Sequence, residues 1–165
     1  MKVASMTDPG RVRHANEDSF FADSGLGLLI VADGMGGHKG GDVASRIAVE
    51  TISGRIRKDL ANPDQDIDVL IRAAVEEANA RIREQAGQDS DLEDMGATLV
   101  LALCRGSSIH LAHVGDSRAY LVHHDSIQRL TEDHSLLAQM LKAGQITEKE
   151  APPFSPSARG DSQPR

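Results

Sequence analysis

Aromatic residues are almost missing from this chain of 165 residues: three phenylalanines, one tyrosine and no tryptophan, 2% in all. A core built without them must be aliphatic, and stacking of nucleic-acid bases on aromatic platforms is excluded as a main activity. Cysteine is nearly missing as well. Cys104 has no second cysteine with which to form an intrachain disulfide, which suits a reducing compartment. It follows the apolar run Leu99–Leu103, and the expectation is a small core residue rather than a reactive thiol. No apolar run approaches the roughly 18 residues needed to cross a bilayer, and the N-terminus lacks the apolar segment of a signal peptide. A cytoplasmic protein without a membrane partner is expected. Basic residues are outnumbered, 18 against 25 acidic, for a formal charge of −7. That balance argues against general nucleic-acid binding. The acidic surplus serves either a solvated surface or the binding of divalent cations.

What is present fits one domain with a real core, at 39% hydrophobic residues. An extended segment turns at Asp8-Pro9-Gly10 and leads into a short strand around Asp18–Ala22. Gly27–Ala32 reads as a buried strand. Gly41–Leu60 reads as a helix, because Ala44, Ala48, Ile52, Ile56 and Leu60 recur every four residues. Asn62-Pro63-Asp64 breaks it, and a second helix spans about Asp66 to Gln85, stopped by Gly87. After the acidic loop Gln88–Asp94 come four short strands, Thr98–Cys104, Ile109–Val114, Ala119–His123 and Ile127–Leu130. Links this short require antiparallel neighbours, so a meander is expected. Asp133–Lys142 reads as a helix capped by Asp133. Strand, two helices and a meander together indicate the α+β class.

The C-terminal residues change character. Thr147-Glu148-Lys149-Glu150 has the pattern of a capping box, yet Pro152-Pro153 cuts the announced helix short. Residues 151–165 hold four of the six prolines and read as a disordered or aberrant Pro/Ser-rich tail. The contradiction fits an ordinary tail or a chain whose C-terminal part is missing or replaced.

Chemistry concentrates where strands meet glycines. In Val31-Ala32-Asp33-Gly34-Met35-Gly36-Gly37-His38 an aliphatic run ends in one carboxylate, and the glycines let a ligand approach the main chain. The loop is not a phosphate cradle: Lys39 stands where a dinucleotide fingerprint needs glycine, and no Gly-Lys-Ser/Thr follows. Arg13, Glu17 and Asp18 lie upstream, and His113-Val114-Gly115-Asp116-Ser117-Arg118 repeats the strand-then-Gly-Asp pattern. Asp33 alone would be read as a turn residue. Clustered carboxylates, however, repel unless protonated or bound to cations, and oxygen ligands without paired cysteines or histidines suit Mg²⁺ or Mn²⁺ rather than zinc. Arg13 is either an ion-pair partner of these acids or a planar fork for phosphate. His38 has a surface role or one near the site, His113 is read as structural, and Arg118 as a brace for the Asp116 loop.

Taken in order, Gly10–Arg13 with Asn16-Glu17-Asp18, Val31–His38, Met95-Gly96-Ala97-Thr98, His113–Arg118 and Leu130–Ser135 resemble the metal-dependent protein phosphatases. This is the type 2C serine/threonine phosphatase (PPM) family in its bacterial form, and the resemblance covers about residues 5–150. It implies an α-β-β-α sandwich of two antiparallel sheets flanked by helices, with residues 1–150 forming the N-terminal portion of such a domain. It also implies two Mn²⁺ or Mg²⁺ ions bridged by Asp33, with the Gly34 carbonyl on one of them. Glu17 and Asp18 would hold metal-coordinated waters, Asp116 would serve a third, weaker ion, and Arg13 would bind the substrate phosphate. The implied reaction is hydrolysis of phosphoserine or phosphothreonine in proteins by a metal-bridging hydroxide attacking phosphorus in line. The implied partners are phosphorylated proteins and a cognate bacterial Ser/Thr kinase.

Two departures accompany the resemblance. Eukaryotic members place a proposed histidine acid where this chain has Met35, which leaves water or His38 as candidate acid. The family also carries two further ligand aspartates near its C-terminal end, in Asp-Gly and Asp-Asn motifs. Asp125, Asp133 and Asp161 match neither motif. The expectation is therefore an incomplete domain with impaired activity. A phosphoprotein-binding module without turnover and a non-functional fragment are the competing readings.

Overall fold

The computed structural model describes residues 1–13, 15–36, 40–62 and 64–134. The chain divides into two units, Met1–Asp133 and His134–Arg165, and all elements below belong to the first. The helix expected at Asp133–Lys142, the capping-box segment and the tail lie outside the described residues, apart from Asp133 and His134.

Strands β1 (Asp18–Asp23) and β2 (Leu28–Met35) are followed by helices α1 (Gly40–Asp59) and α2 (Ile67–Gln88). A single 3-10 turn at Ser90–Leu92 leads to β3 (Gly96–Ala97), β4 (Leu99–Arg105), β5 (Ser108–Val114), β6 (Tyr120–His123) and β7 (Ser126–Arg129). The main sheet runs β1-β2-β4-β5, with β3 also paired to β2, and every pairing is antiparallel. β6 and β7 form a separate hairpin. The α+β class holds. The continuous meander does not: β4 pairs with β2 across both helices, and the ladder is interrupted between β5 and β6 at Gly115–Ala119.

One face of the sheet carries the helices. Leu28, Ile30 and Ala32 of β2 and Leu99, Leu101 and Leu103 of β4 are buried against Ala48, Ile52 and Ile56 of α1 and Leu70, Ile71 and Ala74 of α2. The four-residue stripe of α1 supplies that contact, and Asp42 in its first turn with Arg57 and Lys58 in its last complement the helix dipole. Asp66 caps α2, its carboxylate accepting the N–H groups of Asp68 (2.9 Å) and Val69 (3.1 Å). α2 continues through Gly87 to Gln88, because nothing at Gly87 demands a left-handed turn and a Cβ there would meet open space.

The opposite face holds Phe20, Leu29, Val31, Ala102, Ile109 and Leu111 by strand alternation and register. Cys104 belongs here too. It is half-buried, pairs with Ile109 and stands outside the helix-side core, contrary to expectation. The run Leu99–Cys104 is apolar on both faces, so polarity alone could not say which side the thiol takes.

Candidate functional site

β2 does not end at Ala32. It runs on to Met35 because β3, more than sixty residues later, pairs Ala97 with Gly34 and Gly96 with Met35. Asp33 is thus an interior strand residue, directly opposite Asp18 of β1. The Asp33 N–H donates to Thr98 Oγ1 (3.1 Å) and its carbonyl accepts the Thr98 N–H (2.8 Å), so both main-chain groups point toward β4. The next bond toward β1 is Gly34 N–H to the Glu17 carbonyl, 3.1 Å. Asp18 and Asp33 are therefore a non-hydrogen-bonded pair, the class with Cα atoms about 4.5 Å apart and the closest side chains. Two carboxylates so placed on one face destabilise each other unless their charge is neutralised.

Asp18 is held from the N-terminal side. The Asn16 side-chain carbonyl accepts the Asp18 N–H (3.0 Å), the Asn16 amide donates to Thr7 Oγ1 (2.7 Å), and the Thr7 hydroxyl reaches Asp18 Oδ2 (3.3 Å). Glu17 takes the other face. Its carboxylate packs under the first turn of α1, where a Cβ on Gly41 would come within 2.8 Å of Glu17 Oε2. A helix N-terminus favours that negative charge. Gly34 permits the same close approach: a Cβ there would lie 1.9 Å from the Gly41 carbonyl oxygen. These glycines seat α1 on the sheet end.

Asp116 is two residues beyond β5, whose last residue, Val114, pairs with Leu99 at the start of β4. Its loop is tied to the same sheet end by Ser117 Oγ, 2.6 Å from Thr98 Oγ1. Arg118 braces the far side, gripping Asp133 through Nε (2.9 Å) and Nη2 (2.6 Å). That fork holds the Asp133 carboxyl below its usual range and raises Arg118. Asp133 is accordingly an ion-pair partner of Arg118 and Arg129. His113 bonds the Glu132 carbonyl (2.7 Å), in keeping with a structural role.

The backbones of Glu17, Asp18, Asp33 and the Asp116 loop thus meet at one end of the sheet. Their carboxylates do not form one cluster: among the described residues, no three Asp, Glu, His or Cys side chains gather closely enough to hold a metal ion. Asp18 and Asp33 fit part of a hard cation's shell, with the Gly34 main chain next to them. Arg13 is exposed in the segment before β1 and enters no ion pair with Glu17 or Asp18 among the described residues. His38 lies outside the described residues. Sequence reasoning assigned no role to Thr7, Thr98 or Ser117. Their bonds span eleven to sixty-five positions, and no local pattern in the sequence marks them.

A family model described as Protein phosphatase 2C matches residues 11–154. The chain is 42% identical over 155 residues to the serine/threonine phosphatase stp of Listeria welshimeri, an alignment covering 92% of this chain and 62% of that protein. Its fold is similar to the crystal structure of the Mycobacterium tuberculosis serine/threonine phosphatase PstP/Ppp, with TM-score 0.75 and 37% identity over 87% of this chain and 59% of that one. A structure of the PstP catalytic domain in complex with two manganese ions aligns with TM-score 0.74 and 38% identity, covering 87% and 60%. The chain spans about three fifths of the length of these relatives.

Proposed function

The chain belongs to the protein phosphatase 2C family, and from that premise we propose that it acts in the hydrolysis of phosphoserine and phosphothreonine in proteins. The observation that carries the reading is the Asp18–Asp33 pair, two carboxylates opposite each other at the sheet end where Gly34 and the Asp116 loop also arrive. Such a pair is costly as a structural device and useful as a cation ligand.

In this reading Asp33, the Gly34 carbonyl, Asp18, Glu17 and Asp116 hold Mn²⁺ or Mg²⁺, directly or through water. A relative's crystal structure with two manganese ions supports that choice of metal. Divalent cations supply two things there: activation of water as a nucleophile, and neutralisation of phosphate charge. The chain's own residues do the rest. Arg13, exposed and ahead of β1, offers its guanidinium to the phosphate oxygens, where a planar fork gives both charge and orientation. Thr7 and Asn16 keep Asp18 in place, and α1 stabilises the Glu17 charge. His38 or solvent protonates the leaving seryl or threonyl oxygen. Phosphorylated proteins are the substrates, with a cognate Ser/Thr kinase the source of their phosphate.

A second reading is phosphoprotein binding without turnover. It is favoured by the absence of a three-ligand cluster among the described residues and by the engagement of Asp133 with Arg118. Hydrolysis of p-nitrophenyl phosphate and a phosphothreonine peptide at millimolar Mn²⁺ separates the two. Metal-dependent turnover that disappears in Asp33→Ala is the outcome expected for the phosphatase. Peptide binding that depends on Arg13 but yields no free phosphate would replace it with the second reading.

A further inference from the structure

We propose that the hydroxyls of Thr98 and Ser117 form a link that positions Asp33 and couples it to the loop carrying Asp116. The coupling of two metal positions rests on the reading above; the positioning stands on geometry alone. Thr98 lies between β3 and β4, meets Asp33 at two points and Ser117 at a third. Its N–H donates to the Asp33 carbonyl at 2.8 Å, its Oγ1 accepts the Asp33 N–H at 3.1 Å, and the same Oγ1 stands 2.6 Å from Ser117 Oγ. The strand amide of Asp33 thus ends on a side-chain oxygen instead of a ladder carbonyl. A ladder carbonyl is fixed by its strand. A hydroxyl can turn, and here it is shared with the loop after β5.

That loop is otherwise clamped. Gly115 adopts φ +92°, and a Cβ there would sit 2.8 Å from Thr98 Cγ2, so the loop lies directly on the Thr98 side chain. Arg118 is forked onto Asp133, and the Ala119 N–H donates to Thr131 Oγ1 at 3.1 Å. Thr131 is buried. Between these anchors, Asp116 has the Thr98–Ser117 hydroxyl contact beside it. A shift of Asp116 toward a ligand moves Ser117, and through Thr98 it moves the main chain of Asp33. Thr98 and Ser117 are positioning residues, and neither is placed on the substrate.

The test begins without metal, by amide hydrogen exchange in the full chain. Thr98→Val keeps the main-chain bond and the side-chain shape but removes both hydroxyl contacts. It is expected to speed exchange at the Asp33 amide roughly five- to tenfold, the yield of one lost hydrogen bond, and to speed the amides of Asp116 and Ser117. Leu101 and Leu103 in the neighbouring strand should keep parental rates. Thr98→Ser should restore slow exchange, and Ser117→Ala should speed Asp33 through Thr98, to which the Ser117 hydroxyl is bonded. Uniform acceleration in Thr98→Val, a Thr98→Ser variant as fast as valine, or an Asp33 rate indifferent to Ser117→Ala would overturn the link.

The metal arm follows paramagnetic broadening of the Asp33 and Asp116 amides during Mn²⁺ titration. Coincident midpoints in the parent that separate in Thr98→Val are expected. Midpoints that stay together in the variant would overturn the coupling. No broadening at either amide in the parent would instead overturn the metal reading, while the exchange arm still decides the link.

Discussion

The two faces of the main sheet come from the same strands and have opposite fates. On the helix side Ile30 is 1% exposed and Leu101 is fully buried, packed against the aliphatic stripes of α1 and α2. One residue later in β2, Val31 is 50% exposed, and Phe20 and Ile109 on the same open side are 43% and 55% exposed. Residues 3–7 line a groove along that side together with residues of β1 and β2, among them Phe20 and Val31. A sheet meant to face water on one side alternates apolar with polar residues; one buried on both faces is apolar throughout. β2 and β4 are of the second kind, yet among the described residues only one face is covered. The open face is also the face of Asp18 and Asp33. The helix side therefore carries the stability of the described fold, and the open side carries the Asp18–Asp33 pair on which the proposed function rests.

The sharpest way to break this contrast is to truncate neighbours on β2. Ile30→Ala should cost about 2–5 kcal/mol, because a closed aliphatic core relaxes little around a cavity. Val31→Ala should cost under about 1 kcal/mol, since half of the side chain is already in water. Urea denaturation of both variants checks the difference. Equal losses would mean that the open face is as well packed as the helix side.

Glycines sharpen the same point at the sheet end. Gly34→Ala drives a Cβ into the Gly41 carbonyl and should cost about 1–3 kcal/mol through forced separation of α1 from β2. Gly54→Ala lies on the exposed side of α1 with nothing near its Cβ, and should stabilise by about 0.5–1 kcal/mol. Thermal midpoints moving in opposite directions are the expected result. A neutral Gly34→Ala would show that the seating of α1 at the sheet end is not tight.

How much of this was legible in the sequence follows from the range of each interaction. α1 was legible because Ala44, Ala48, Ile52 and Ile56 repeat at the helix period, and the β4–β5 and β6–β7 hairpins because short turns leave no other pairing. The end of β2 was not legible: Gly34 and Met35 become strand residues only through a two-residue partner at Gly96–Ala97. The side taken by Cys104 was hidden by an apolar run that serves both faces. At the site, Asp33, Glu17 and Asp18 stood out by type and by family resemblance. That Asp18 faces Asp33 while Glu17 turns toward α1 is a matter of register, which a single strand does not encode by itself.

The smallest expected effect concerns the brace of the Asp116 loop. Arg118 holds the Asp133 carboxyl below the usual carboxylate range, chiefly by the two-pronged hydrogen bond. A carboxyl depressed in the folded state binds fewer protons there than in the unfolded chain. Its stabilisation is therefore full above the unfolded value near pH 4 and fades as pH falls through the lower, folded value. The pair lies near the surface, so its worth after solvent screening is at most about 1 kcal/mol. Arg118→Leu should return the Asp133 titration toward the ordinary range, remove that part of the acid-limb slope of stability, and leave the Ile30 core untouched. Carboxyl-detected NMR titration of Asp133, beside urea midpoints at pH 7 and pH 3, reads both quantities. If Asp133 titrates unchanged in Arg118→Leu, then Arg129 rather than the fork governs it, and the loop is anchored by the Thr98–Ser117 contact and the Ala119–Thr131 bond rather than by the fork.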